Sequence, residues 1–370
     1  MKSNLHRFSG RFAGIAARTL LGVCVLAGCI MTGWAQENSG LITGTVTDAT
    51  GAGVPGATIS ATSAILPKGV ETQSNSFGKY ILPQLPIGNY TLTVTKQGFS
   101  KLVQRNIAVK LGSQIDFNPK LAVGAVAEVV EVTDSAISLD VTSSKTSTNI
   151  SAATFDALPK GRNFHTLLAM APGVRQENKN GNAGVGGFQV DGASGSENAF
   201  LIDGVDVSDI RRGSLRVQNS IPFEFIQEIQ IKSGGFEAEF GGATGGVINV
   251  STKGGSNDFH GVGFYQFTND ELNPRPRGYW QRSPANANLA DFYAQPKDNE
   301  SFRYPGFTLS GPIIKNSLFF TTGYSPELFH TVRTINYASG ARQFNQSQKT
   351  HYGFTRVDYN PISKLQTYAS

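Results

Sequence analysis

Cysteine is nearly absent: Cys24 and Cys29 are the two in 370 residues, and both lie within the first 35. The rest of the chain has no thiol, which excludes a disulfide framework, a CxxC zinc site and a cysteine nucleophile there. Charge is also sparse, at 16% of residues against roughly 25% in ordinary soluble domains. Beyond the leader no apolar run reaches about 18 residues, so no spanning helix is expected, although a β-barrel can still enter a membrane. An excess of one sign is missing too. Lys2, Arg7, Arg11 and Arg18 fall in a leading segment without Asp or Glu, and beyond it 28 basic residues face 27 acidic ones. Such a balance leaves no basic footprint for a phosphate backbone, so nucleic acid is not an expected partner.

The leading segment, 1–35, reads as a secretory signal peptide. Its basic stretch runs into the apolar residues 20–31, and Gly33-Trp34-Ala35 places small residues at −3 and −1. Cleavage is expected between Ala35 and Gln36. An alternative reading takes Leu26-Ala27-Gly28-Cys29 as a lipobox, with Cys29 as a lipidated terminus, although Ile30 and Met31 continue the apolar run past it.

What is present is glycine, 42 of 370 residues, and Phe and Tyr at 24 and 11. Glycine at about 11% exceeds the usual ~7% and, with these aromatics, points to β structure rich in turns. Short apolar runs at 41–47, 57–61, 79–82, 90–95, 102–109 and 114–121 alternate with turn signals such as Val54-Pro55-Gly56 and Ile87-Gly88-Asn89. That spacing predicts a small antiparallel sandwich. Residues 122–150 shift to Val, Ser, Thr and Ala and read as a linker. A Gly- and Asn-rich unit follows over 151–253, with a helix-like stretch at 154–158, a second apolar stretch at 164–170 and strands at 199–202, 225–232 and 246–252. From 254 onward the pattern changes again. Strands are expected at 259–267, 302–314, 318–324, 352–359 and from 365. The connections between them run long, short, long, short, as in an outer-membrane barrel. A shift of apolar phase at Pro305-Gly306 suggests a bulge.

Gly44-Thr45-Val46-Thr47-Asp48, Gly53-Val54-Pro55-Gly56-Ala57, Phe77-Gly78-Lys79-Tyr80 and Leu85-Pro86-Ile87-Gly88-Asn89-Tyr90 resemble the carboxypeptidase regulatory-like family. The resemblance implies a transthyretin-like sandwich that serves as an accessory module without peptidase activity. The second unit resembles the plug domain of TonB-dependent outer-membrane receptors, on their Oar-like branch. The residues that carry it are Leu158 to Phe164, Pro172-Gly173-Val174, Phe200 to Asp206, Ile226 to Lys232, Glu239 to Gly242 and Gly245 to Val250. The fold implied is mainly β: a transthyretin-like β-sandwich (36–121), an α+β plug (151–253) and the first strands of an incomplete antiparallel transmembrane β-barrel (254–370).

The resemblance further implies a location in the outer membrane of a Gram-negative-type bacterium, in contact with its lipid. It implies energy-dependent uptake of a ligand the sequence does not name, and the TonB complex as partner. Glu128-Val129-Val130-Glu131-Val132-Thr133 is similar to a TonB box, the segment that pairs with TonB by β-augmentation. It reads equally as the first plug strand or as plain linker. Arg211, Arg212 and Arg216 are candidates to attract an anionic ligand, or else to bind the barrel wall. Four strands and the start of a fifth cannot close a plugged barrel of about 22 strands, so a truncated sequence or a broken gene is expected.

No enzyme, metal site or cofactor is expected. None of His6, His165, His260, His330 and His351 falls in HExxH, and no G-x-S-x-G elbow occurs. Gly184-Val185-Gly186-Gly187 lacks the Lys-Ser/Thr of a phosphate cradle. Asp203, Asp206 and Asp209 recur every third residue without the spacing of a calcium loop. A second reading of the whole is a surface adhesion protein that binds without transport.

Overall fold

The computed structural model describes residues 39–124, 129–132, 145–157, 164–177, 187–209, 214–215, 221–237, 239–275, 277–283, 286, 288–294, 297–337, 340–362 and 365–370. The first unit is built from β1 (Gly40–Thr45), β2 (Thr47–Asp48), β3 (Thr58–Ser63), β4 (Val70–Gln73), β5 (Lys79–Leu85), β6 (Gly88–Thr95), β7 (Lys101–Val109), β8 (Gln114–Asp116) and β9 (Lys120–Leu121). A further strand, β10 (Val129–Val132), extends one sheet to the order β10-β7-β6-β3-β4. A second sheet runs β5-β1-β8, and β2 pairs with β9.

Burial alternates with period two along β1, β3 and β6. One face of each sheet therefore closes over Ile42, Ile59, Leu82, Tyr90, Leu92, Val94 and Ile107. The two buried tyrosines keep their hydroxyls bonded, Tyr80 to the Phe117 carbonyl at 2.7 Å and Tyr90 to that of Pro86 at 2.8 Å. Burial pushes both phenols well above their ordinary range.

The second unit contains β11 (Thr146–Ser151), α1 (Ala152–Ala157), α2 (His165–Leu168), β12 (Val174–Gln176), β13 (Phe188–Val190), β14 (Ala199–Ile202), β15 (Val205–Asp206), β16 (Ser208–Asp209), β17 (Ser214–Leu215), β18 (Ile226–Gly234) and β19 (Val247–Thr252). Its main sheet has the order β11-β18-β19-β14-β15, with β14 and β19 parallel. Ile150, Phe164, Leu167, Phe200, Ile226, Ile229, Ile231, Ile248 and Val250 form its core. Asp203-Gly204 makes a two-residue hairpin between β14 and β15. Both residues have positive φ, 48° and 83°, the requirement of a type I′ turn that an Asp-Gly pair meets. The segment 122–150, read from sequence as linker, holds both β10 and β11. Its β-branched residues supply strand propensity, and β7 and β18 offer edges to pair with.

The third unit is a five-stranded antiparallel sheet, ordered β20-β23-β24-β25-β26. Its strands are β20 (His260–Asn269), β23 (Asn299–Ile314), β24 (Leu318–Tyr337), β25 (Gly340–Ile362) and β26 (Leu365–Ala369), and a small hairpin of β21 (Tyr279–Arg282) and β22 (Ala290–Tyr293) lies in the first long connection. The sheet is open, with β20 and β26 as its edges.

Two expectations are corrected here. The pairing of β23 with β20 is unbroken across Pro305-Gly306, and its register on β24 is the same at Arg303↔Leu328 and Phe307↔Tyr324, so no bulge lies there. Between those two pairs lie Pro305 on β23 and Pro326 on β24, and neither can donate to the ladder. The shift falls instead between Pro312 and Ile314, beside the tight turn. The polar residues before Tyr352 are not a loop but the outer arms of β24 and β25, paired from Leu318↔Tyr359 out to Tyr337↔Gly340. Twenty residues span about 66 Å, far beyond an apolar band of ~25 Å, so the outer arms need no apolar face. Finally, β4 went unread because Val70-Glu71-Thr72-Gln73 has one apolar residue.

Candidate functional site

The inward face of the barrel strands meets the plug sheet. Along β24 the residues Phe319, Thr321 and Ser325 are buried, as are Tyr352, Asp358 and Asn360 along β25, while Phe307, Leu309, Tyr324 and Tyr359 of the same sheet point outward and are exposed. At this boundary Phe225 of the plug stacks on Phe354, with ring centroids 5.8 Å apart. Its ring lies over Gly323, where a Cβ would approach to 2.6 Å.

An ionic cluster ties the two units together. Asp203, at the β14–β15 turn, accepts from the Thr252 amide at 2.9 Å and from its hydroxyl at 2.5 Å. Arg356 of β25 reaches Asp203 at 3.7 Å and Asp358 at 2.8 Å. It also donates to the Thr252 carbonyl at 3.2 Å. The Tyr368 ring covers the guanidinium at 4.2 Å, and its hydroxyl donates to the Asp203 carbonyl at 3.2 Å. Asp358 in turn accepts from the Gly255 amide at 3.1 Å. Each buried charge thus has a counter-charge and hydrogen bonds, the condition under which burial is tolerated.

Inside the plug, Lys232 is 1% exposed. Its ammonium binds Glu237 at 3.0 Å and sits 4.5 Å over the Phe240 ring. Glu237 also pairs with Lys145. Burial alone would raise the Glu237 carboxyl, but the hydrogen bonds from Lys145 and Lys232 prevail and hold it down at about 2. Gly246 admits the β13 strand: a Cβ there would meet Val190 at 2.7 Å.

The sandwich is joined to the plug by a socket around Leu111, which is fully buried. The Leu111 amide donates to Glu228 at 3.1 Å, and its carbonyl accepts from Asn149 at 3.0 Å and Gln230 at 2.6 Å. Asn149 also donates to Glu228 at 2.7 Å. Desolvation raises the Glu228 carboxyl above its ordinary value. On the barrel side, Lys68 donates to the Ser317 hydroxyl and the Pro361 carbonyl, both at 2.8 Å. Asn360 reaches the Ile65 carbonyl at 3.3 Å. The tight turn at 315–317 therefore lies on the sandwich side.

Of the site residues read from sequence, Val129, Val130, Glu131 and Val132 form β10, paired in parallel with Lys101 to Gln104 of β7. Glu128, Thr133, Arg211, Arg212, Arg216, Ala35 and Gln36 lie outside the described residues. Asp203 and Asp206 are engaged separately, Asp206 with the Ser208 amide and hydroxyl at 2.9 and 2.6 Å. Among the described residues no group of three or more ligating side chains is gathered for a metal. Sequence reasoning missed Arg356 and Asp358. The available signal was two charges at alternate positions of a strand whose intervening residues are Val357 and Tyr359, the mark of a lumen-facing stripe.

A carboxypeptidase regulatory-like domain model matches residues 41–122, and a TonB-dependent receptor plug domain model matches residues 139–247. The chain is 32% identical over 367 residues to the TonB-dependent transporter Oar of Myxococcus xanthus, covering 94% of this chain and 32% of that protein. It is 34% identical over 167 residues to the ferrienterobactin receptor of Escherichia coli strain K12, covering 38% of this chain and 22% of that protein. Among solved structures, the outer membrane transporter YddB from Escherichia coli aligns with a TM-score of 0.42 at 18% identity, covering 58% of this chain and 31% of the other. The chain thus spans about a third or less of the length of the curated relatives it matches. A carboxypeptidase regulatory-like domain, a TonB-dependent receptor plug domain and barrel-type strands follow one another in this chain, which is similar over nearly all its length to the start of an Oar-type TonB-dependent transporter.

Proposed function

We propose that this chain acts as an outer-membrane receptor that captures a ligand outside and passes it to the periplasm with energy transduced through TonB. The observation that carries the reading is the plug sheet seated on the inward face of the barrel strands through Arg356, Asp203 and Thr252. Among the described residues the plug meets the strands through a small ionic cluster, an aromatic stack and the Gln266–Glu224 hydrogen bond at 3.1 Å, a set of contacts that can separate, which energised transport requires. The outward residues Tyr265, Phe267, Phe307, Leu309 and Ile313 give the sheet its lipid-facing surface. The sandwich, beside the tight turn at 315–317, lies on the periplasmic side, because such turns are the short ones in outer-membrane barrels.

In this scheme Glu128–Thr133 is the TonB box, which lends its strand edge to TonB. Arg211, Arg212 and Arg216 draw an anionic ligand toward the plug. Ligand binding shifts the plug only if the ligand prefers one plug state over the other, and the coupling is reciprocal. No chemical conversion of the ligand is proposed. The name of the ferrienterobactin receptor makes ferric chelates the first class to test, beside vitamins, oligosaccharides and peptides. Cells producing the receptor would be presented with labelled members of each class, with and without a protonophore. Uptake that collapses with the proton-motive force supports transport. Surface binding that the protonophore leaves unchanged, with nothing internalised, overturns it and supports adhesion.

A further inference from the structure

We infer that the sandwich is an intramolecular competitor of TonB, because the outer edge of β7 already occupies the strand that TonB would take. The inference rests on reading Glu128–Thr133 as the TonB box. The β10 residues Val129, Val130, Glu131 and Val132 stand opposite Lys101, Leu102, Val103 and Gln104, four consecutive parallel partners. The other side of β7 is filled by β6. Without β10, β7 would be an open edge, a row of unpaired amides and carbonyls that accepts an extended chain. Here that chain is the protein's own.

The tether makes the capture efficient. Ser100 donates its amide to Ala122 at 2.9 Å, and the Gly124 amide reaches the Gly98 carbonyl at 3.3 Å. The chain leaving the sandwich is therefore pinned beside the start of β7, and residues 125–128 alone separate it from Val129. A linker that short gives an effective concentration in the millimolar range. The receiving surface is already ordered: Leu102, Val103 and Gln104 are at most 9% exposed. TonB and β7 both bind by main-chain hydrogen bonds to one strand, so TonB meets a box that is free for a small fraction of the time. Its apparent affinity falls by that fraction.

The test needs no substitution. The periplasmic domain of TonB is titrated against a synthetic peptide of residues 127–134 and against the full chain, and exchange at the Lys101–Gln104 amides is followed in parallel. The expectation is that the peptide binds at least about tenfold more tightly than the full chain. TonB binding to the full chain should also strip protection from the β7 amides as β10 leaves. Equal affinity for peptide and chain overturns the competition while leaving the box reading standing. So does TonB binding with β7 protection unchanged, which would mean that TonB adds to the far side of β10. A peptide that does not bind TonB overturns the box reading, and the competition with it.

Discussion

At the residue scale the plug is held by Arg356, whose guanidinium lies between Asp203 of the plug and Asp358 of its own strand. Replacing it with methionine keeps the bulk and removes the cation from two buried carboxylates. Asp203 keeps its two bonds to Thr252, so the expected cost is about 2–4 kcal/mol, toward the lower end for a broken buried pair. It would be read as faster amide exchange at 247–252. The double variant R356M/D203N should cost less than the two single changes summed, because the second removes the carboxylate that the first strands. Additive effects would show that the cluster does not act as a unit. Glu237 gives a pH signature. Its carboxyl is held at about 2 in the folded plug against an ordinary 4.5. The stabilisation it gives is therefore complete above about 4.5 and is lost as pH falls toward 2. Exchange at the β18 amides across that range should steepen in the native chain and flatten in E237Q.

At the scale of elements, β18 shows how far the sequence could be read. The alternation Ile226-Gln227-Glu228-Ile229-Gln230-Ile231-Lys232 specified a strand, and the structure places one there. The polar side of that strand is covered as well, with Glu228, Gln230 and Lys232 each at most 2% exposed. For Glu228 and Gln230 the cover is distant chain, the Leu111 loop; for Lys232 it is the segment just after the strand, Glu237 and Phe240. Periodicity reports which side of a strand is apolar and carries no information about a polar partner more than a hundred residues away. The sandwich strands were legible for the converse reason, since their apolar faces close on one another within the unit. The Leu111 socket is testable as an element. Glu228 accepts on both oxygens, from Leu111 and from Asn149. In E228Q one of these sites becomes a donor facing a donor. Docking should weaken by about 1–2 kcal/mol, seen as faster proteolysis of the segment between Leu121 and Thr146. Unchanged proteolysis would assign the docking to other contacts.

On the scale of the whole molecule the three units close a triangle. The plug is bonded to the barrel through Arg356, the sandwich to the plug through Leu111, and the sandwich to the barrel turns through Lys68 and Asn360. Movement of the plug against the barrel must therefore break the Arg356 cluster and either strain the Leu111 socket or lift Lys68 off its turn. The sandwich is then a strap across the plug–barrel joint, and its loss has a directional consequence. Deleting residues 39–121 removes the cover of Glu228 and Gln230 but no partner of Asp203, Thr252 or Arg356. Amide exchange in the deleted chain should rise at 226–232 as the polar face of β18 loses its cover and stay near its native rate at 247–252. A uniform rise across both strands would mean that the sandwich holds up the plug core itself. No change at 226–232 would mean that the socket contributes nothing to the plug's cohesion. The intermediate, one-sided pattern is what a strap fastened at Leu111 and Lys68 requires, because the ionic cluster on the far strand has all its partners in the plug and the barrel.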